Sequence, residues 1–233
     1  MPVGPWGWAH LLGFGVLLPY AAYRSAARLE RGPLPPRARH FQVVLVQQAV
    51  FAAVSLAVAR AEGIALFPEP AIPSTALALG LVGLLGSLAL MHRFWRQTVE
   101  QRARLAYFFM PRTAREKRLW AGLALVAGIG EELTYRGVMY TLLLRLTGTP
   151  AGAALASAAV FGISHSVQGW GSALATVAFG LGFQGLALVS GSLYLPMAVH
   201  VCYDLAAGLA YARYGEKFGY PAGGVGGAAG GEE

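Results

Sequence analysis

Apolar residues in this chain come in long runs separated by short polar stretches. Seven runs stand out, at about Trp6–Tyr23, Phe41–Ala59, Ser74–Met91, Leu119–Leu146, Ala151–Ser164, Trp170–Val189 and Leu193–Tyr211. A helix of about 20 apolar residues crosses a bilayer, so each run reads as a membrane span. Lipid also requires every backbone polar group to be satisfied internally, which favours helices. The pattern therefore predicts an all-α, polytopic membrane helix bundle of about seven transmembrane helices. The first run meets arginines rather than a small-residue cleavage site, so a retained span is expected. Thr149-Pro150 reads as an N-cap and first turn for the fifth span. Pro196 is expected to loosen the seventh. From Pro221 onward the chain turns to glycine and alanine, and residues 214–233 are expected to form a flexible Gly-rich tail.

Composition strengthens this picture. The chain is 56% hydrophobic and only 12% charged over 233 residues, too little charge to cover a soluble domain of this size. The net charge of +7 would suggest nucleic acid in a soluble protein. Here the basic residues lie between spans, so positive-inside topology explains them and no nucleic-acid partner is expected. Arg24, Arg28, Arg31, Arg37 and Arg39 follow the first span, against Glu30 alone. After the third come Arg93, Arg96, Arg102, Arg104, Arg112, Arg115, Lys117 and Arg118, against Glu100 and Glu116. The loop between, with Arg60, Glu62 and Glu69, has no basic excess. That asymmetry places the N-terminus outside and the C-terminus in the cytoplasm. Gln101–Phe109 mixes arginines with aromatics and is expected to lie as a short amphipathic helix on the cytoplasmic leaflet. The single cysteine, Cys202, excludes an intramolecular disulfide.

Ionisable groups inside spans are costly and mark function. The first three spans have almost none in their middles, so residues 1–118 read as a membrane scaffold with basic cytoplasmic loops. The later spans hold Glu131, Glu132 and Arg136, then His165, then His200 and Asp204. Glu132 and Arg136 stand four apart with the acid first, the favoured order for a helical ion pair, and read as structural. Glu131 points about 100° away and has no partner on its own turn, which makes it the candidate for chemistry. His200 and Asp204 share a helix face. No Ser/His/Asp or Cys/His triad presents itself, since Cys202 points about 100° away from His200.

The order E-E-x-x-x-R, F-x-x-x-H and H-x-x-x-D, carried by Glu131, Glu132 and Arg136, by Phe161 and His165, and by His200 and Asp204, resembles the CPBP family. Its members are CAAX proteases and bacteriocin-processing enzymes, including the type II CAAX prenyl endopeptidases. The resemblance covers about Leu119 to Gly208 and makes residues 119–213 a protease-like catalytic domain. It implies a glutamic intramembrane protease in which Glu131 and His165 activate water, without a cofactor. His200 and Asp204 would hold the oxyanion or substrate, supported by Glu132, Arg136 and Phe161. Asp204 stands where the prenyl endopeptidases usually carry asparagine, and aspartate is frequent in bacterial members. The expected partners are the lipid bilayer and a membrane-associated protein or peptide: a CAAX-type terminus, a bacteriocin leader or a C-terminal sorting peptide. The expected location is a bacterial or archaeal cell membrane.

Three other readings stay open at this level. Glu131, His165, His200 and Asp204 are also a possible zinc ligand set for a metalloprotease, although no H-E-x-x-H is present. Buried acids and histidines also serve proton-coupled transporters. A non-catalytic membrane scaffold is the third.

Overall fold

The computed structural model describes residues 2–68 and 71–224, without the side chains of residues 27, 30 and 31. Glu69 and residues 225–233 of the expected tail lie outside the described residues. The helices are α1 (Pro5–Leu12), α2 (Leu18–Arg31), α3 (Arg37–Ala61), α4 (Ser74–Glu100), α5 (Ala114–Glu131), α6 (Tyr140–Thr147), α7 (Pro150–Ser164), α8 (Trp170–Ser190) and α9 (Tyr194–Lys217). A π-helical turn, Gly13–Leu17, joins α1 to α2 without a break, and a second, Glu132–Met139, joins α5 to α6. The described residues thus form seven helical rods that match the seven apolar runs. Among them, α3, α4, α8 and α9 are each long and apolar enough to cross a membrane.

Two polar ends bound the bundle. At one, the Glu62 carboxylate accepts from the Gly4 and Gly7 backbone N–H groups at 3.1 and 2.7 Å and meets Arg145 at 3.2 Å. It fills the N-terminus of α1, whose first amides have no helical partner. At the other end, Arg37 is buried and pairs with Glu116 at 3.2 Å. Arg37 also donates to the carbonyls of Tyr107 and Ala222. Glu116 completes a capping box with Thr113, the N-cap of α5. Burial alone would raise the Glu116 carboxyl. Backbone N–H donation from Thr113 and Arg112, with the Arg37 guanidinium, outweighs it and holds the group below its ordinary value. The two basic loops and the C-terminal segment therefore gather at the end opposite Gly4.

Four local expectations are corrected here. Arg104–Phe109 is a 3-10 turn tucked into the bundle, with Ala106, Tyr107 and Phe108 buried, because arginine side chains satisfy the neighbouring loop carbonyls. The chain beyond residue 214 stays packed over its described part. There α9 runs to Lys217, and Tyr220 is buried and donates to the Ala103 carbonyl at 2.8 Å. Pro196 lies in the first turn of α9, where a missing N–H costs nothing, and the helix continues. Thr149 precedes α7 as expected, but its side chain makes no cap bond.

Helix α7 has 15 residues, about 22 Å of helix against a hydrocarbon core of about 30 Å. It ends in the turn Ser166–Gln168 before α8 begins. His165 sits at that end.

Candidate active site

The site forms where α5 meets α3 and α9. Two glycines allow the approach. A Cβ on Gly128 would stand 2.9 Å from the Val201 backbone nitrogen on α9. One on Gly130 would stand 3.1 Å from the Gln48 carbonyl oxygen on α3. Neither distance tolerates a side chain easily, so Gly-Ile-Gly before Glu131 fits the helix between two close neighbours.

Glu131 ends α5. Its Oε1 accepts from Gln48 Nε2 at 2.7 Å, and its Oε2 stands 3.8 Å from His200 Nε2. Glu132, fully buried, meets Arg136 at 3.2 Å and His200 Nδ1 at 2.8 Å. Adjacent residues 100° apart on the helix thus meet one imidazole, which reaches Glu132 with one nitrogen and faces Glu131 with the other. A carboxylate paired with arginine only accepts, so His200 Nδ1 carries the hydrogen and Nε2 faces the cavity. Asp204 Oδ2 lies 3.7 Å from the same Nε2. Phe183 stacks on the ring at 4.8 Å, and the Arg136 guanidinium lies over Phe161 at 4.1 Å.

His165 approaches from α7. Its Nδ1 stands 2.8 Å from the Phe161 carbonyl, with the ring edge-on to Phe161 at 4.6 Å. A carbonyl accepts, so Nδ1 donates and a neutral ring keeps its lone pair on Nε2. Glu131, His165, His200 and Asp204 all line one cavity of about 740 Å³. Glu131, His200 and Asp204 come within contact range, while His165 occupies the same wall without a direct contact to them. Polar side chains, among them Gln48, Tyr135, Ser164 and Gln168, share a lining that is otherwise mostly apolar. Among the described residues, no three His, Cys, Asp or Glu side chains are grouped to hold a metal ion.

The π-helical turn after Glu131 needs its own support. Ser157 donates to the Tyr135 carbonyl at 2.8 Å, and His10 Nε2 reaches the Thr134 carbonyl at 3.3 Å. Side chains from α7 and α1 thereby brace the widened turn that carries Glu132 and Arg136, a kind of irregularity frequent at functional sites.

Sequence reasoning missed Gln48. The signal was present, a Gln47-Gln48 pair inside an apolar span, but a neutral amide stands out less than a charge. Helical spacing also gave Glu132 only Arg136 as a partner, whereas Glu132 bonds the site histidine as well. Trp120 was missed as well: its indole donates to the Asp204 carbonyl at 3.1 Å.

A polytopic helical membrane protein with an acid–histidine cluster lining an internal cavity is the class that fold and site define. Residues 115–206 match the model of a family described as type II CAAX prenyl endopeptidase, Rce1-like. That is the protease family to which the motif order points, over nearly the same stretch. No curated relative and no solved structure matches the chain.

Proposed function

We propose that the chain is an intramembrane endopeptidase that hydrolyses a peptide bond in a membrane-anchored or membrane-proximal substrate. The class is CAAX-type termini, bacteriocin leaders or C-terminal sorting peptides. The observation that carries this reading is the Glu131 carboxylate facing His200 Nε2 at 3.8 Å in one cavity of a helix bundle with membrane-spanning lengths. Water loses a proton to Glu131, aided by the free Nε2 of His165, as its oxygen bonds the substrate carbonyl carbon. The resulting oxyanion is held by His200, which in this step is an imidazolium donating from Nδ1 to Glu132 and from Nε2 to the oxyanion, with Asp204 behind it. The C–N bond then breaks and the amine leaves with the proton held by the general base; the carboxylic acid formed passes its own proton to that amine, leaving a carboxylate and an ammonium. Glu132 and Arg136 fix the imidazole, and no metal enters the scheme. The basic loops and C-terminal segment, gathered at one end, face the cytoplasm in this reading and the N-terminus lies outside, in a bacterial or archaeal cell membrane.

The test is cleavage of a quenched, farnesylated peptide ending in a CAAX box, alongside its unprenylated form, by protein in proteoliposomes. Glu131→Gln is expected to lower kcat by about 10²–10⁴-fold. Full-rate cleavage by Glu131→Gln would sink the mechanism.

A further inference from the structure

We infer that Gln48, on α3 and outside the matched residues 115–206, is a positioning residue for Glu131; the inference rests on the peptidase reading above. Its Nε2 donates to Glu131 Oε1 at 2.7 Å while Oε2 of the same carboxylate faces His200. The two oxygens therefore differ: one is anchored and the other is left for the reaction. Only one amide orientation is possible, because the reverse would set two acceptors against each other. Charge-assisted bonds of this length are the strong ones, and in a low-dielectric site they fix a rotamer firmly.

Two further observations single out the donor. Gln48 Oε1 is buried without a hydrogen-bond partner in the chain. A leucine at this position would leave no such unpaired group, so packing alone does not call for an amide here. The contact is also built for. The Cβ missing from Gly130 would stand 3.1 Å from the Gln48 carbonyl oxygen and 3.3 Å from the Ala52 Cβ. Glycine there lets α3 come close enough for the side chain to reach. The front of the chain thereby supplies part of the site, and the boundary near residue 118 is not a functional one.

The experiment uses the full chain in proteoliposomes with Gln48→Met, which keeps length and volume but removes the donor, and with exposed Gln42→Met as control. Two quantities are read: kcat and KM on the farnesylated peptide, and the rate at which dicyclohexylcarbodiimide labels Glu131, followed by mass spectrometry. For Gln48→Met, labelling is expected to rise at least about threefold because Oε1 loses its occupant. The expected fall in kcat is about tenfold, with KM within about twofold. Gln42→Met should match wild type. Unchanged labelling, or unchanged kcat, overturns the positioning role. Increased labelling in a preparation whose wild type cleaves nothing supports the hold on Glu131 and overturns the peptidase reading instead. Should Gln48→Met fail to fold, Gln48→Leu, which also removes the donor, is judged by the same criteria.

Discussion

Among the described residues, two arginine–glutamate pairs have both partners buried, Arg37–Glu116 at the loop end and Glu132–Arg136 beside the site, and both close at 3.2 Å. Their surroundings differ. Around the first, backbone groups take up the remaining valences: Arg37 also donates to two carbonyls, and Glu116 also accepts from the Arg112 and Thr113 backbone N–H groups. Around the second, Glu132 Oε2 and both terminal nitrogens of Arg136 lack a hydrogen-bond partner in the chain. The guanidinium rests on aromatic faces instead, and the acid turns its other contact to His200. A saturated pair closes a fold, whereas an unsaturated one holds a reactive group in place at some cost in stability.

Removing each arginine is the hardest test of that contrast. Arg136→Met should lower stability by about 3–5 kcal/mol, as expected when one partner of a buried pair is lost. It should also lower kcat by about 100-fold through a misplaced His200. Arg37→Met should lose similar stability, about 3–5 kcal/mol, while kcat of the folded protein stays within about twofold. Thermal unfolding and turnover measured on the same samples separate the two, and equal losses of kcat would erase the distinction.

Acid sharpens the loop-end pair alone. The depressed Glu116 carboxyl contributes stability that is fully present above the ordinary glutamate value of about 4.3. That contribution is lost as pH falls through the lower folded value. The unfolding midpoint of wild type should therefore drop on acidification below about pH 4 more steeply than that of Glu116→Gln. Parallel curves would remove Glu116 from the account. The smallest effect concerns two caps. Thr113→Ala should cost about 1 kcal/mol because the hydroxyl closes a capping box. Thr149→Ala, whose side chain caps nothing, should stay within about 0.5 kcal/mol by unfolding midpoint.

How much of this was legible depends on what each residue costs in lipid. The spans were readable because unbroken apolar length has no other use at this composition. Glu131, His200 and Asp204 were readable because a charge inside such a run is conspicuous, and their order matched a known family. Gln48 was not, since an amide is tolerated in a span and its partner sits on a different helix. The widened turn at Glu132–Met139 was invisible because its carbonyls are braced by Ser157 and His10, contacts that only packing creates. The arginines of the loops read as solvated, yet Arg37 and Arg112 point inward to carbonyls of Tyr107 and Tyr220, a pairing no local pattern announces.

The shortness of α7 has a consequence for the lipid itself. A helix about 8 Å shorter than the hydrocarbon core is thick leaves a difference to be met by neighbouring helices or by the bilayer. Trp170, 68% exposed at the start of α8, is the kind of ring that sits among headgroups. Longer acyl chains widen that difference, so the thickness of the host bilayer bears on α7 more than on the longer rods beside it.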